Sequence, residues 1–294
     1  MVHPSFVFRE SIVPRLSEIH PIFYHTRIWQ KRLFRQVKNY TQRQQFATEK
    51  SLDNLAFSCK KHQSLLRRKL GDADPRLQEN KVVNLAIASQ TIDGILIHPN
   101  QTFSFWQLVG EPSAAKGYIE GMQLSRGAVK TGIGGGLCQL ANLLYWMALH
   151  TPLTVVERHH HSFDPFPDHE RVLPFGSGAG IFYNYVDLRF HNPTQQTFQI
   201  RVWLTENHLK GAIYTDQLWP YSYHVFEKNH QFLQQGDRVY RQNEIWRSPI
   251  EKRTGKHLSA ERLIQNFAEV KYALDPALLT PAIAPEPVPK MPST

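Results

Sequence analysis

Cys138 and His161 are the two side chains of this sequence best suited to nucleophilic chemistry. One is a thiol able to attack a carbonyl, the other an imidazole able to take its proton. Asp187 lies downstream on a strand-like segment and suits the third role, orienting the imidazole; Asp164 is the second candidate for it. The oxyanion would be held by the Cys138 backbone N–H together with Gln139 or an amide of the loop formed by Gly134, Gly135 and Gly136. Two other readings use the same residues. In a non-catalytic binding module the glycine loop brings backbone close to a ligand, Glu157 and Arg158 form an ion pair, and Cys138 is packing. In a zinc site the ligands would be Cys138, His159, His161 and Asp164, but no Cys-x-x-Cys or His-Glu-x-x-His spacing supports it, and no metal or other cofactor is expected.

The element that positions Cys138 is a helix. Leu140, Leu143, Leu144, Met147 and Ala148 follow the spacing of a buried helical stripe. Glycine is costly inside a helix, so Gly132 and the triplet 134–136 place the helix start near Leu137 to Gln139. Cys138 then falls in the first turn, where free N–H groups and the macrodipole favour a thiolate and a lowered pKa. Pro152 ends the helix, and Thr154 to Val156 read as a strand that returns the chain toward the cysteine. Side chains alternate along a strand, so His159 and His161 share one side and His160 the other.

The run from Gly134 to Gln139 and the run Glu157, Arg158, His161, Ser162 resemble the two most recognisable motifs of the VanW family, the vancomycin B-type resistance protein group: GGG-x-CQ and ER-x-x-HS. Phe103-Ser104-Phe105 with Gly110, Gly117-Tyr118 and Tyr185-Val186-Asp187-Leu188 are similar to it as well. The similarity runs over roughly residues 80 to 250. It implies a peptide-like or cell-wall precursor ligand and a role in the cell envelope, without specifying a reaction.

The chain has 294 residues, and 41% of them are hydrophobic, which suits a globular protein with a sizeable core. Its net charge of +9 is unevenly placed: residues 1–81 carry 16 basic against 7 acidic side chains, and the remainder balances. A basic leading region suits an anionic membrane surface, or is simply a solvated helical face. The glycines precede Cys-Gln and lack the Lys-Ser/Thr of a phosphate loop; no dinucleotide or nucleic-acid motif is present, so no nucleic-acid partner is expected. Two cysteines give no disulfide framework, and no stretch has the apolar length of a secretory or membrane-spanning segment. The expected location is therefore cytoplasmic, or peripheral at the inner membrane face.

The expected architecture is α+β: a basic helical region over 1–80, a domain over 81–274 with antiparallel strands and a central helix after the glycine loop, and a Pro-rich flexible tail over 275–294. Helices are predicted over Trp29–Lys38, along a stripe from Leu52 to Leu70, over Val82–Ala88 and over Ser259–Glu269. Ile95–Ile97 and Thr102–Trp106 are predicted to form one hairpin, and Phe182–Phe190 with Phe198–Leu204 another. Strands are also expected at Tyr221–Glu227 and Val239–Arg247, and residues 165–180 read as a long loop able to line or cover the site.

Overall fold

The computed structural model describes residues 21–67, 74–125, 128–160, 163–164, 167–168 and 172–279. In chain order they form α1 (Pro21–Thr41), β1 (Phe57–Leu65), α2 (Arg76–Ile92), β2 (Ile95–Ile97), β3 (Thr102–Ser104), α3 (Phe105–Val109), β4 (Glu120–Ser125), β5 (Ala128–Ile133), α4 (Cys138–Ala148), β6 (Thr154–Glu157), β7 (Phe163–Asp164), β8 (Arg189–His191), β9 (Phe198–Leu204), β10 (His208–Thr215), β11 (Tyr221–Gln235), β12 (Arg238–Glu251) and β13 (Glu261–Val270). The fold is α+β, as the sequence implies.

The core forms where α4 meets the antiparallel sheet β1-β10-β9-β2. Leu140, Leu143, Leu144, Met147 and Ala148 are all buried, with Phe198, Ile200, Leu209 and Ile213 from the sheet. The helix approaches β10 closely at Gly211, where an added Cβ would lie 2.6 Å from the Met147 methyl group and 3.1 Å from Leu143, so a larger residue there would push these side-chain ends aside. A second sheet, β11-β12-β13-β7, is built on the long β11–β12 hairpin; a third, β3-β8-β6, carries the segments around the site, and β4 and β5 make a separate ribbon.

Four predicted elements are different in the structure. The stripe from Leu52 to Leu70 is not a helix: Phe57–Leu65 is β1, paired with β10 at the edge of the first sheet. It is mostly polar, with Phe57, Cys59 and Leu65 its apolar residues, and its register shifts between Ser58 and Lys60, so periodicity could not identify it and pairing with β10 decides. The boundary expected at residue 80 accordingly falls inside α2, with β1 before it already part of the central sheet. Ser259–Glu269 is not a helix either, because Glu261–Val270 is β13. Its register jumps from Ile264 opposite Ile245 to Arg262 opposite Trp246, leaving Leu263 as a bulge residue. That extra residue sets Leu263 beside Ile264 and breaks the period-two pattern, which imitates helical spacing.

Neither expected hairpin forms. β2 joins β9, whereas β3 joins β8, and α3 begins at Phe105 immediately after β3. Of Phe182–Phe190 only the end is strand; Phe182 and Val186 close a turn through reciprocal backbone hydrogen bonds of 2.9 and 3.0 Å. β8 and β9 then lie in different sheets. The connection between them is fixed by Asn192, which donates to the Ile97 and Gln196 carbonyls at 2.8 Å each. Residues 280–294, most of the expected tail, lie outside the described residues.

Candidate functional site

The glycine triplet is a packing turn. Gly134 and Gly136 have positive φ of 74° and 93°, which ordinary side chains rarely adopt. Gly135 lies against Gly121 of β4 so closely that an added Cβ would come within 2.1 Å of the Gly121 carbonyl carbon and oxygen. Asn84 of α2 clamps both strands of this turn: its amide donates to the Gly135 carbonyl at 2.9 Å and to Ile119 O at 3.0 Å, while its oxygen accepts from Ile119 N at 2.9 Å. The turn presents its backbone to its own protein.

At the start of α4, the Gln139 N–H already donates to Gly136 O at 3.1 Å, and Leu140 N–H and Ala141 N–H to Leu137 O at 3.0 and 3.2 Å. The N–H groups expected to stabilise a thiolate are thus partly spent on the preceding turn. Cys138 as a residue keeps some surface exposure, but its thiol is desolvated. Burial pushes its pKa above the ordinary 9.0, outweighing the opposing effect of the Ile181 and Cys138 N–H groups. This corrects the expectation of a lowered pKa: the helix-start contribution is smaller than the desolvation cost. Gln139, expected near an oxyanion, donates its amide to Ser64 Oγ at 2.9 Å and Leu65 O at 2.7 Å and thereby ties α4 to β1.

Glu157 and Arg158 point to opposite sides of the chain and do not pair. Strand neighbours alternate, and that overrides their adjacency. Arg158 donates Nε to Gly178 O at 2.9 Å, reaches Gly176 O with Nη2, and covers the Tyr145 ring 5.2 Å away. With Asn142, whose oxygen accepts from Ala179 N at 2.7 Å, it fastens the 176–180 segment over the start of α4. Glu157 instead accepts both arms of Arg35 from α1, at 2.6 and 2.7 Å. It also accepts from Asp187 N at 3.1 Å and His159 Nε2 at 3.3 Å, and lies 3.5 Å from Arg189 Nε. Burial alone would raise the Glu157 pKa. The hydrogen bonds from His159 and Arg35, with the Arg35 charge, outweigh it and hold the carboxyl at about 2.

Asp187 is fully buried, not facing a cleft. It accepts from Ser104 Oγ at 2.5 Å, Trp106 N at 3.1 Å, Leu188 N at 2.9 Å and Arg189 Nε at 2.8 Å. Burial pushes its pKa up, against the pull of Arg189 and Ser104. Arg189 continues the network to Asn39 of α1 at 2.6 Å. Asp164 sits in the second sheet, held by Arg241 and by the Tyr272 hydroxyl, each at 3.1 Å. His161 and Ser162 lie outside the described residues, so the Cys138–His161 pair has no described geometry. His159 and His160 are exposed. Among the described residues no three of His, Cys, Asp and Glu gather as metal ligands. Sequence reasoning missed Asn84 and Asn142, named Ser104 only within a motif and without its contact to Asp187, and missed above all Arg35, which sits 122 residues before its partner Glu157. Nothing local in the sequence announces that pairing.

The chain matches one family model, "VanW like protein", over residues 80–214, a stretch that holds the Gly-Gly-Gly-x-Cys-Gln turn entering α4 and the strand β6 ending at Glu157. The chain belongs to the VanW family. It is 34% identical over 197 residues to the vancomycin B-type resistance protein VanW of Enterococcus faecalis, covering 67% of this chain and 72% of that protein. It is 32% identical over 121 residues to the uncharacterized protein YoaR of Bacillus subtilis, covering 40% of this chain and 37% of that protein. No solved structure matches it significantly. Among the described residues no helix is long and apolar enough to cross a membrane.

Proposed function

We propose that this chain is a non-catalytic accessory module of the cell envelope, contributing to vancomycin resistance by binding a peptide-like cell-wall precursor. The observation that carries the non-catalytic reading is the burial of the Cys138 thiol, which raises its pKa above the ordinary 9.0 and disfavours the thiolate that attack requires. Two of the residues that would assist it have other work. Gln139 joins α4 to β1, and Asp187 is saturated by donors from β3, α3 and β8. The envelope and resistance part of the reading rests on likeness to the Enterococcus faecalis protein, whose name is that of a vancomycin resistance protein.

The test is vancomycin susceptibility in a strain lacking this chain, complemented with wild type, Cys138→Ser or His161→Ala. Full complementation by Cys138→Ser supports the binding module. Loss of complementation by Cys138→Ser and His161→Ala alike, with both proteins folded, would instead establish a Cys–His hydrolase or acyl transferase. A deletion with no effect on susceptibility overturns the resistance assignment. Binding of a muropeptide precursor to the purified chain, measured calorimetrically, tests the ligand class separately.

A further inference from the structure

The helix α1 is mounted with the wrong side out for a soluble surface. The face turned to the protein is mostly polar, with Ile28 at one end: Arg32 donates to Tyr183 O at 2.9 Å, Arg35 holds Glu157, and the Asn39 oxygen accepts from Arg189. These residues lie at spacings of three and four, so they share one stripe. Trp29, Leu33, Val37 and Tyr40 follow the same spacing on another stripe, and Phe34 stands beside them; all five are exposed, Trp29 at 63%, Tyr40 at 68% and Phe34 at 75%. Monomeric proteins rarely leave so many large apolar side chains contiguous in water, and such patches mark contact surfaces.

Charge indicates the occupant. α1 carries five basic residues, Arg27, Lys31, Arg32, Arg35 and Lys38, and no acidic one. Arg32 and Arg35 are spent on docking, and the Lys31 ammonium lies 5.1 Å from the centre of the Tyr185 ring. Arg27 and Lys38 are exposed beyond the apolar stripe. An aromatic and aliphatic stripe bordered by cations, with tryptophan and tyrosine in it, is the pattern of a helix lying in the headgroup layer of a membrane. A nucleic-acid surface would put the cations at the centre of the exposed face, where here the apolar residues stand.

We propose that α1 binds an anionic lipid bilayer through Trp29, Leu33, Phe34, Val37 and Tyr40, while its opposite face stays locked to the protein by Arg35 and Glu157. The bilayer contact would then hold the Cys138 region at a fixed distance from the membrane surface.

The experiment is flotation of the full chain with vesicles of phosphatidylcholine alone or with phosphatidylglycerol, at low and high salt. Wild type is expected to float with phosphatidylglycerol vesicles at low salt and largely detach at high salt. The triple variant Trp29→Gln, Leu33→Gln, Phe34→Gln is expected to lose at least tenfold in partitioning with an unchanged thermal melt, since these side chains support no core. Arg27→Gln with Lys38→Gln is expected to lose the preference for phosphatidylglycerol. The proposal is overturned by absence of flotation at low salt, by flotation that the triple variant leaves intact, or by a concentration-dependent dimer that the triple variant abolishes without any lipid binding in the wild type. It is equally overturned if an RNA oligomer binds in a stripe-independent way while vesicles do not.

Discussion

Replacing Glu157 with glutamine should release α1 while leaving the core folded. The carboxylate is mostly buried and is shared between Arg35 from α1 and the Asp187–Arg189 pair from β8 and the turn before it. Its pKa moves from the ordinary 4.5 to about 2. At 1.36 kcal/mol for each pH unit, that displacement corresponds to about 3 kcal/mol of stabilisation of the charged form at neutral pH. Breaking a buried pair by removing one partner costs about 3–5 kcal/mol, so the two routes agree on the scale. Because the folded pKa is the depressed one, the stabilisation is complete above about pH 4.5 and is lost as pH falls toward about 2. If the loss is local to α1, about 3 kcal/mol raises the open fraction roughly a hundredfold. Trypsin cleavage at Arg27, Lys31 and Lys38, followed by mass spectrometry under native conditions, reads that fraction directly. Glu157→Gln should be cut roughly a hundred times faster there than wild type, with β11 and β12 unaffected. Equal cleavage of the two proteins would refute the claim that Glu157 fastens α1.

Gly135→Ala should cost about 3 kcal/mol, the upper end for overpacking, because both atoms it would strike belong to the Gly121 backbone; urea unfolding measures it. Gly255→Ala, at φ 71° with nothing within 4 Å, should cost only about 1 kcal/mol, which separates collision from backbone conformation. His150, half-buried against Trp146 and donating to its carbonyl at 2.8 Å, has its pKa lowered to about 4 by desolvation. The unfolded chain takes up that proton first, so stability should decline as pH falls from about 6.5 to about 4, and His150→Phe should flatten urea midpoints across that window. Asn142→Ala should loosen the 176–180 segment, seen as faster amide exchange at Ala179, by about tenfold for the loss of about one hydrogen bond.

The segments with strong apolar periodicity were readable. The α4 stripe, the clean alternation of β9 and the existence of α1 and α2 all follow from spacing alone. β1 and β13 were not, and for different reasons. β1 is mostly polar and owes its conformation to the edge of β10, whereas the bulge at Leu263 shifts the phase of β13 and makes adjacent apolar residues resemble a helical face. Around the candidate site, the contacts of the named residues were not legible. Gly135 packs against Gly121, a contact that its own neighbourhood in the sequence does not announce, and the helix start at Cys138 follows from spacing without the desolvation that reverses its expected effect on the thiol. Glu157 and Arg158 were read as partners because they are adjacent, when strand alternation sends one to Arg35 and the other to the Gly176 and Gly178 carbonyls. Long-range pairing of this kind leaves no trace in local composition.

The pH dependence of Cys138 alkylation tests the central claim, that this cysteine is a packing residue, most directly. Iodoacetamide labelling of the native chain, mapped by mass spectrometry, separates Cys138 from Cys59, whose pKa burial raises to about 11. A packing Cys138 should label slowly, with its rate still rising beyond pH 9.0, and His161→Ala should leave that profile unchanged. Rapid labelling with a half-rise below about pH 8, shifted by His161→Ala, would contradict the account and identify an activated nucleophile.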